Sequence, residues 1–516
     1  MIHQKAGTLS EEKIDLEALR KGFFNPKGDI AKVKFGTSGH RGSLGQGFCA
    51  LHAKAIAQAV AALHKEEGLT GKILVGGDTR LMSRTTAEIC AQVLSANGFK
   101  VVLPSLAVPT PVFSFEILSG RVCAALNGTA SHNPPQDMGL KYNPSNGGPA
   151  SSKLTSDIEK LANHFLENPD KIKIMPLEEA RSKGLIEDCD IITPYIQALG
   201  KKINFDIIRK SNLKAAITPL GGATLPFYEA IIKQYDLKNV ELVQTEQNPD
   251  FHFIPLDHDG KIRMDPSSAY PMKPLIELVR NGAYDFAGAS DPDGDRFGCA
   301  TKKGGLIAPN HALCVMLDYL AKNADQNAPK KVGRTLGTTM LMDKIAEHYQ
   351  MGVEEVNVGF KYFVDGLLNK ELLMAGEESA GMSITDWVTE KDGILAVCLL
   401  LEIMCATGQD IAGLYEQLTA LYGKSYYTRV DTPALPEIKQ NFKHLKAENF
   451  AELRTFAGSE LLRVRDTDGI KLYLKDSWLL ARASGTENII KLYAETFRGQ
   501  EYLDALIAAG KTLFGL

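Results

Sequence analysis

Apolar residues recur at three- and four-residue intervals through ALHAKAIAQAVAALHKEEG, a spacing that predicts a helix. KILVGGD, just after it, is a short apolar run closed by turn residues and reads as a strand. SRTTAEICAQVLSANG is helical again and KVVLP strand-like. RVCAALNGTA then runs as a strand straight into the heptapeptide TASHNPP, Thr129 to Pro135. Strand and helix in alternation are the rhythm of a largely parallel α/β unit.

The rhythm returns twice. LKAAITPLGG, LPFYEAIIKQY, VELVQ and YDFAGAS form a second unit; GRTLGTT, LMDKIAEHY, VEEVNVGF and LLMAGEES form a third. The tail changes character. In LLRVRDTDGIKLYL a DG turn separates two strand-like runs, the mark of a hairpin. A further strand, a loop and the helix QEYLDALIAAGKTLF follow, giving a small α+β domain. Polar or charged stretches divide the chain into expected domains 1–200, 201–309, 310–425 and 426–516. Each α/β unit has one apolar strand that runs into a polar loop: CAALNGTASHN, DFAGASDPDGDR and LLMAGEESAG. Ligands of open α/β sheets bind beyond the carboxyl ends of strands, so loops facing one cleft would line it together.

Composition narrows the class. A chain of 516 residues is too long for one core, and about three or four domains are expected. With 44% hydrophobic and 23% charged residues it is a soluble globular type. A net charge of -4 implies no general attraction to nucleic acid or membrane. Eight cysteines with no CxxC pair argue against structural zinc and a disulfide framework. The run ILAVCLLLEIMCA is interrupted by Glu402 and too short to span a bilayer, so it reads as a buried helix. A polar N-terminus without the apolar core of a signal peptide makes the cytoplasm the expected compartment.

Four loops carry candidate chemistry. DPDGDR places Asp291, Asp293 and Asp295 at alternate positions, so an extended backbone aims them to one side. Three close carboxylates repel one another unless a cation sits among them, and an all-oxygen set favours a hard ion such as Mg²⁺. A solvated acidic turn is the plain alternative. An EF-hand is a poor alternative, because Arg296 and Lys302 stand where that loop needs Gly and Glu. RASGTEN offers Arg482 for a bidentate phosphate pair, with Ser484, Gly485 and Thr486 as further donors; a strand-to-strand turn is the alternative. GEESAG offers Glu377 and Ser379 to sugar hydroxyls, against a helix N-cap. FGTSGHRG is a glycine-rich loop with His40 and Arg41 that suits either an anion or a simple turn. GQGFCA mimics a dinucleotide fingerprint, but no apolar strand precedes it. Walker A and GxSxG sequences are absent, which disfavours an NTPase or an α/β-hydrolase.

Ser131 and His132 raise the question of a hydrolase pair. Neighbouring side chains in an extended segment face opposite ways, so His132 is expected to be badly placed to deprotonate Ser131. A serine near a divalent ion, with phosphate-binding loops elsewhere, fits phosphoryl transfer better than acyl transfer.

TASHNP, DPDGDR, GEESAG and RASGTEN, in this order and spacing, resemble the α-D-phosphohexomutase superfamily from about Phe35 to the C-terminus. With FGTSGHRG, PPQDMGLKYNPSNGGPA and VGFKYF, the wording is similar to the bacterial phosphoglucomutase branch. The resemblance implies three related mixed-sheet α/β domains plus a smaller C-terminal α+β domain around a central cleft. It implies a phosphoryl group on Ser131, and one Mg²⁺ per chain held by Asp291, Asp293, Asp295 and the Ser131 phosphate. Arg296 would lie beside that phosphate. Gly359, Glu377 and Ser379 would contact the sugar, and Arg482, Ser484, Gly485 and Thr486 the phosphate that is not reacting. Arg41, His132, Lys141 and Lys391 match positions near the phosphoserine or sugar. Val358 stands before Gly359 where eukaryote-type glucose mutases often have Thr.

The implied reaction interconverts glucose 1-phosphate and glucose 6-phosphate through glucose 1,6-bisphosphate, which also serves as activator. Lys141 or Lys391 would act as general base if its pKa were depressed. Mannose, glucosamine or pentose phosphates are the rival substrates, and an inactive sugar-phosphate-binding relative or a phosphatase the rival classes. Small sugar phosphates are the expected partners, with no nucleic acid and no membrane; a homodimer is left open.

Overall fold

The computed structural model describes residues 2–36, 39–483 and 489–516. Among the described residues four sheets follow one another along the chain, of seven, five, four and six strands. In the first, Lys72–Gly77 lies parallel to Lys100–Val102 and to Ala124–Gly128. Asp137–Asn143 and Gly39–Ser43 then extend it antiparallel. The second sheet repeats the plan. Ala215–Thr218 is parallel to Val240–Leu242 and Phe286–Ser290, and Phe297–Thr301 is antiparallel. In the third, Lys331–Thr335 is parallel to Gly352–Val356 and Leu372–Glu377, followed by antiparallel Gly381–Ile384. Each of the polar loops of these three units therefore joins a parallel strand to an antiparallel neighbour. That topology puts all three loops at carboxyl ends of parallel strands.

The last sheet is antiparallel throughout, with the helix Gln500–Phe514 packed on it. The expected hairpin is Ser459–Arg465 with Ile470–Leu474.

One apolar core runs through the first three units, from Phe113 and Tyr195 through Phe227 and Phe286 to Leu313 and Leu399. Its axis is the helix Gly393–Thr407, capped by Asp392 Oδ1, which accepts the Leu395 N–H at 2.9 Å. The apolar run ILAVCLLLEIMCA is thus a core helix, and no single helix among the described residues is long and apolar enough to cross a membrane. The C-terminal domain has its own core and meets the third unit across a seam that joins an apolar cluster around Leu336 and Trp478 to buried polar contacts. There the buried Glu495 accepts from the Met340 N–H at 2.7 Å and from Trp478 Nε1 at 2.8 Å.

Beneath the first sheet, His40 and His52 lie with ring centroids 4.9 Å apart. Burial, and then the neighbouring His52, push His40 from 6.5 down to about 4. The unfolded chain binds that proton near pH 6.5 and the folded chain refuses it until about pH 4. Stability is therefore full above pH 6.5 and falls as the pH drops towards 4, by about 3 kcal/mol for this group. Urea unfolding between pH 7 and 4.5 should show the loss, and His40→Gln should reduce it by this group's share, leaving that of the other buried histidines. An unchanged slope in that variant would reject the assignment.

Candidate active site

Ser131 is buried, with φ 54°, in the left-handed region that costs a non-glycine residue about 1 kcal/mol or more. The fully buried guanidinium of Arg80 holds it there. Arg80 donates to the carbonyls of Ser131 and Asn133, and to Pro134 O at 2.8 Å and Asp137 O at 3.2 Å. From the other side, Asp78 Oδ2 accepts from Thr129 Oγ1 at 2.6 Å, and Thr129 Oγ1 accepts from the Ser131 N–H at 2.8 Å. The loop TASHNPP is built around one buried cation.

The left-handed turn reverses one expectation. Because Ser131 is not extended, its side chain and that of His132 come together, with Oγ 3.2 Å from His132 Nδ1. Burial, and then the charge of Arg296, depress His132 to about 3, so its imidazole is neutral at pH 7. Ser131 Oγ also donates to Asp291 Oδ2 at 2.7 Å, a contact between the first and second units.

Asp291, Asp293 and Asp295 are all buried and each offers an oxygen within 4.8 Å of the others. Burial, and then the neighbouring carboxylates, raise the pKa of Asp291 well above the usual range. Asp293 Oδ2 accepts from Lys141 Nζ at 2.6 Å, and Asp295 Oδ2 from Lys141 Nζ at 3.0 Å. Lys391 Nζ lies 3.3 Å from Asp295 Oδ2. The opposite oxygens, Asp293 Oδ1 and Asp295 Oδ1, are buried without a partner. Two unpartnered carboxylate oxygens beside Asp291 and the serine hydroxyl make an all-oxygen donor set that fits a hard divalent ion.

The two lysines do not meet the condition for a general base. Burial works to lower both, but Asp293 and Asp295 more than offset it at Lys141, and Asp295 and Glu390 at Lys391, so both pKa values are raised. Their ammonium groups hold carboxylates in place. Arg41 lies on Gly39–Ser43 opposite Gly139, close enough for its charge to lower the pKa of His132 and Arg80. Arg296 donates its N–H to Asp291 Oδ1 at 3.0 Å and its guanidinium to Asp265 Oδ2 at 3.4 Å.

Glu377 ends its strand beside the same cluster and its Oε1 accepts the Gly359 N–H at 3.1 Å. Burial, and then the opposing pull of Lys391, leave its pKa raised to about 7. Ser379 is half-buried in the turn between Leu372–Glu377 and Gly381–Ile384, so it caps no helix. Gly359, at φ 130°, takes a backbone that side chains resist. Val358 packs towards the seam cluster of Leu336 and Trp478, and its N–H donates to Asp468 Oδ2 at 2.9 Å. The Val358 side chain is thus part of the domain seam. Arg482, one residue before the end of Ser477–Ala483, pairs with Asp468 at 2.9 Å. Ser484, Gly485 and Thr486 lie outside the described residues, as do Thr37 and Ser38.

Arg80, Asp78, Thr110 and Asp265 belong to this constellation without having been singled out in the sequence. For Arg80 a signal existed: KILVGGDTR is also an apolar strand running into a polar loop.

Comparison with known proteins agrees with this geometry. Family patterns described as phosphoglucomutase/phosphomannomutase alpha/beta/alpha domains I, II and III match residues 32–168, 193–305 and 308–422, and the C-terminal domain pattern matches 428–509. A phosphoglucomutase of Komagataeibacter xylinus is 38% identical over 96% of this chain and 93% of its own length. The chain belongs to the phosphoglucomutase/phosphomannomutase family. Solved members of the family share the fold. A Burkholderia thailandensis phosphoglucomutase/phosphomannomutase family protein superposes with TM-score 0.74 at 21% identity, covering 92% of this chain and 96% of its own. The Paramecium phosphoglucomutase parafusin, in an open form, superposes with TM-score 0.75 at 20% identity, covering 94% and 96%. Three mixed α/β domains and a smaller C-terminal domain are therefore this family's architecture. Residues 2–31 precede all four patterns.

Proposed function

We propose that this family member is a phosphoglucomutase, interconverting α-D-glucose 1-phosphate and glucose 6-phosphate through a phosphoserine at Ser131 and a glucose 1,6-bisphosphate intermediate. The observation that carries the reading is Ser131 Oγ, held 2.7 Å from Asp291 at the edge of a carboxylate triad with two unpartnered oxygens. The glucose assignment takes its support from the phosphoglucomutase relative at 38% identity and from the GEESAG loop.

In the forward half-reaction a sugar hydroxyl oxygen bonds to the phosphorus on Ser131, the Oγ–P bond breaks, and the sugar's hydroxyl proton ends on Ser131 Oγ. In the return half-reaction Ser131 Oγ bonds to the phosphorus of the other phosphoryl group, and that group's bond to the sugar oxygen breaks. The serine proton ends on that oxygen, with the neutral His132 Nδ1 3.2 Å from Oγ. Asp291, Asp293 and Asp295 would hold one Mg²⁺, which when bound offsets charge on the transferring group. Arg296 and Arg41 supply fixed positive charge beside it. Glu377, Ser379 and the Gly359 backbone are assigned to the sugar, and Arg482 with Ser484, Gly485 and Thr486 to the distal phosphate. Domain bounds at 200, 309 and 425 go with this reading. Eight free thiols fit work in the reducing cytoplasm.

The test is the purified protein with glucose 1-phosphate, Mg²⁺ and traces of the bisphosphate. Glucose 6-phosphate should form without release of inorganic phosphate; phosphate release in its place would make the protein a phosphatase. A second expectation concerns Glu377. Ionised, it offers two charged acceptor oxygens in place of one neutral one, so KM for glucose 1-phosphate should fall as the pH rises through about 7. Glu377→Gln should raise KM by about tenfold or more and flatten that limb, because a hydrogen bond to a charged group is worth about 1.5–3 kcal/mol. Steady-state kinetics from pH 6 to 8.5 checks both.

A further inference from the structure

Asp293 is a residue of the second unit, yet the first unit holds both its backbone and its side chain. Thr110 opens the helix Thr110–Leu118 behind Pro109, where an N–H has no partner inside the helix. That N–H donates to the Asp293 carbonyl at 2.7 Å. The Thr110 hydroxyl donates to Asp293 Oδ2, also at 2.7 Å. On Ala124–Gly128, Asn127 Nδ2 in turn donates to Thr110 Oγ1 at 2.9 Å, and Lys141 Nζ lies 3.4 Å from the same oxygen. A hydroxyl has one proton and two lone pairs. With donors on the lone-pair side, the proton is directed at the carboxylate. Thr110, Asn127 and Asp293 are each fully buried, so water cannot substitute for any of these contacts.

The consequence falls on the carboxylate. Asp293 Oδ2 is committed to Thr110 and Lys141, while Oδ1 has no partner. The carboxylate thus has one oxygen turned to the first unit and one left for a ligand. We propose that Thr110, backed by Asn127, is a positioning residue for the metal ligand Asp293, fixing from across the domain boundary which oxygen faces the ion. This rests on the carboxylate triad being the metal site. It gives Thr110 no contact with substrate. Outer partners of metal ligands typically change affinity by about 10–100-fold when removed.

Isothermal titration of the full chain with Mg²⁺, without sugar, tests the proposal. Thr110→Val keeps the volume and deletes the hydroxyl; its dissociation constant should rise by about 10–100-fold. Thr110→Ser restores the hydroxyl and should stay within about threefold of the unmodified chain. Asn127→Leu should weaken binding in the same direction by a smaller factor. At saturating Mg²⁺, kcat of Thr110→Val should largely recover, as it would not if the hydroxyl acted in the chemical step. Asp293→Asn is the control and should lose Mg²⁺. If Asp293→Asn binds like the unmodified chain, the reading of the triad fails. If it loses the ion while Thr110→Val keeps full affinity, the Thr110 proposal alone is overturned. Should Thr110→Val not fold, Asn127→Leu decides, and unchanged affinity there overturns the proposal.

Discussion

Ser131→Ala is expected to lower kcat by about 10⁴-fold or more, with the fold intact, because nothing nearby replaces its oxygen as phosphoryl carrier. The nearest alternative, His132, has Nδ1 on the serine oxygen and a pKa depressed to about 3, so it is neutral at pH 7 and a weak base. The Arg80 bonds to the loop run to backbone carbonyls, and alanine leaves these in place. The positive φ at this position is retained by those bonds, so the loss should be chemical. Near-normal turnover in the alanine variant, measured by coupled assay with unchanged far-ultraviolet dichroism, would contradict the assignment.

Removing divalent ions with EDTA should cost about 10³-fold in rate, recovered on adding Mg²⁺. Three buried carboxylates within 4.8 Å are costly to leave charged and alone. Lys141 and Lys391 cover only the Oδ2 side of Asp293 and Asp295. The unpartnered Oδ1 atoms and Asp291 are the oxygens that would hold a cation. If the lysines sufficed as counter-charge, the chelated protein would retain its rate, and that result would remove the ion from the account.

Much of this arrangement was legible in the chain. The three site loops follow apolar strands, and the pattern placed them at strand ends that the topology brings together. What escaped has physical causes. Gly39–Ser43 and Asp137–Asn143 are mixed in polarity, since their buried polar residues serve the site, and periodicity does not read such strands. The pairing of Ser131 with His132 depends on one backbone angle, and an extended backbone predicts its opposite. For Lys141 and Lys391 the sign of the pKa shift depends on whether burial or carboxylates prevail, which distance alone decides. Thr110 sits in SLAVPTPVF, where nothing local marks a residue whose partner lies in another unit.

The claim beneath all of this is that a phosphoryl group resides on Ser131 and moves between the two ends of a hexose. Peptide mapping of the phosphorylated protein, before and after adding glucose 6-phosphate, follows that group directly. The account predicts phosphate on the Ser131 peptide, lost on addition with an equal yield of glucose 1,6-bisphosphate. Phosphate that stays on the peptide, sits on another residue, or leaves only as inorganic phosphate would contradict it.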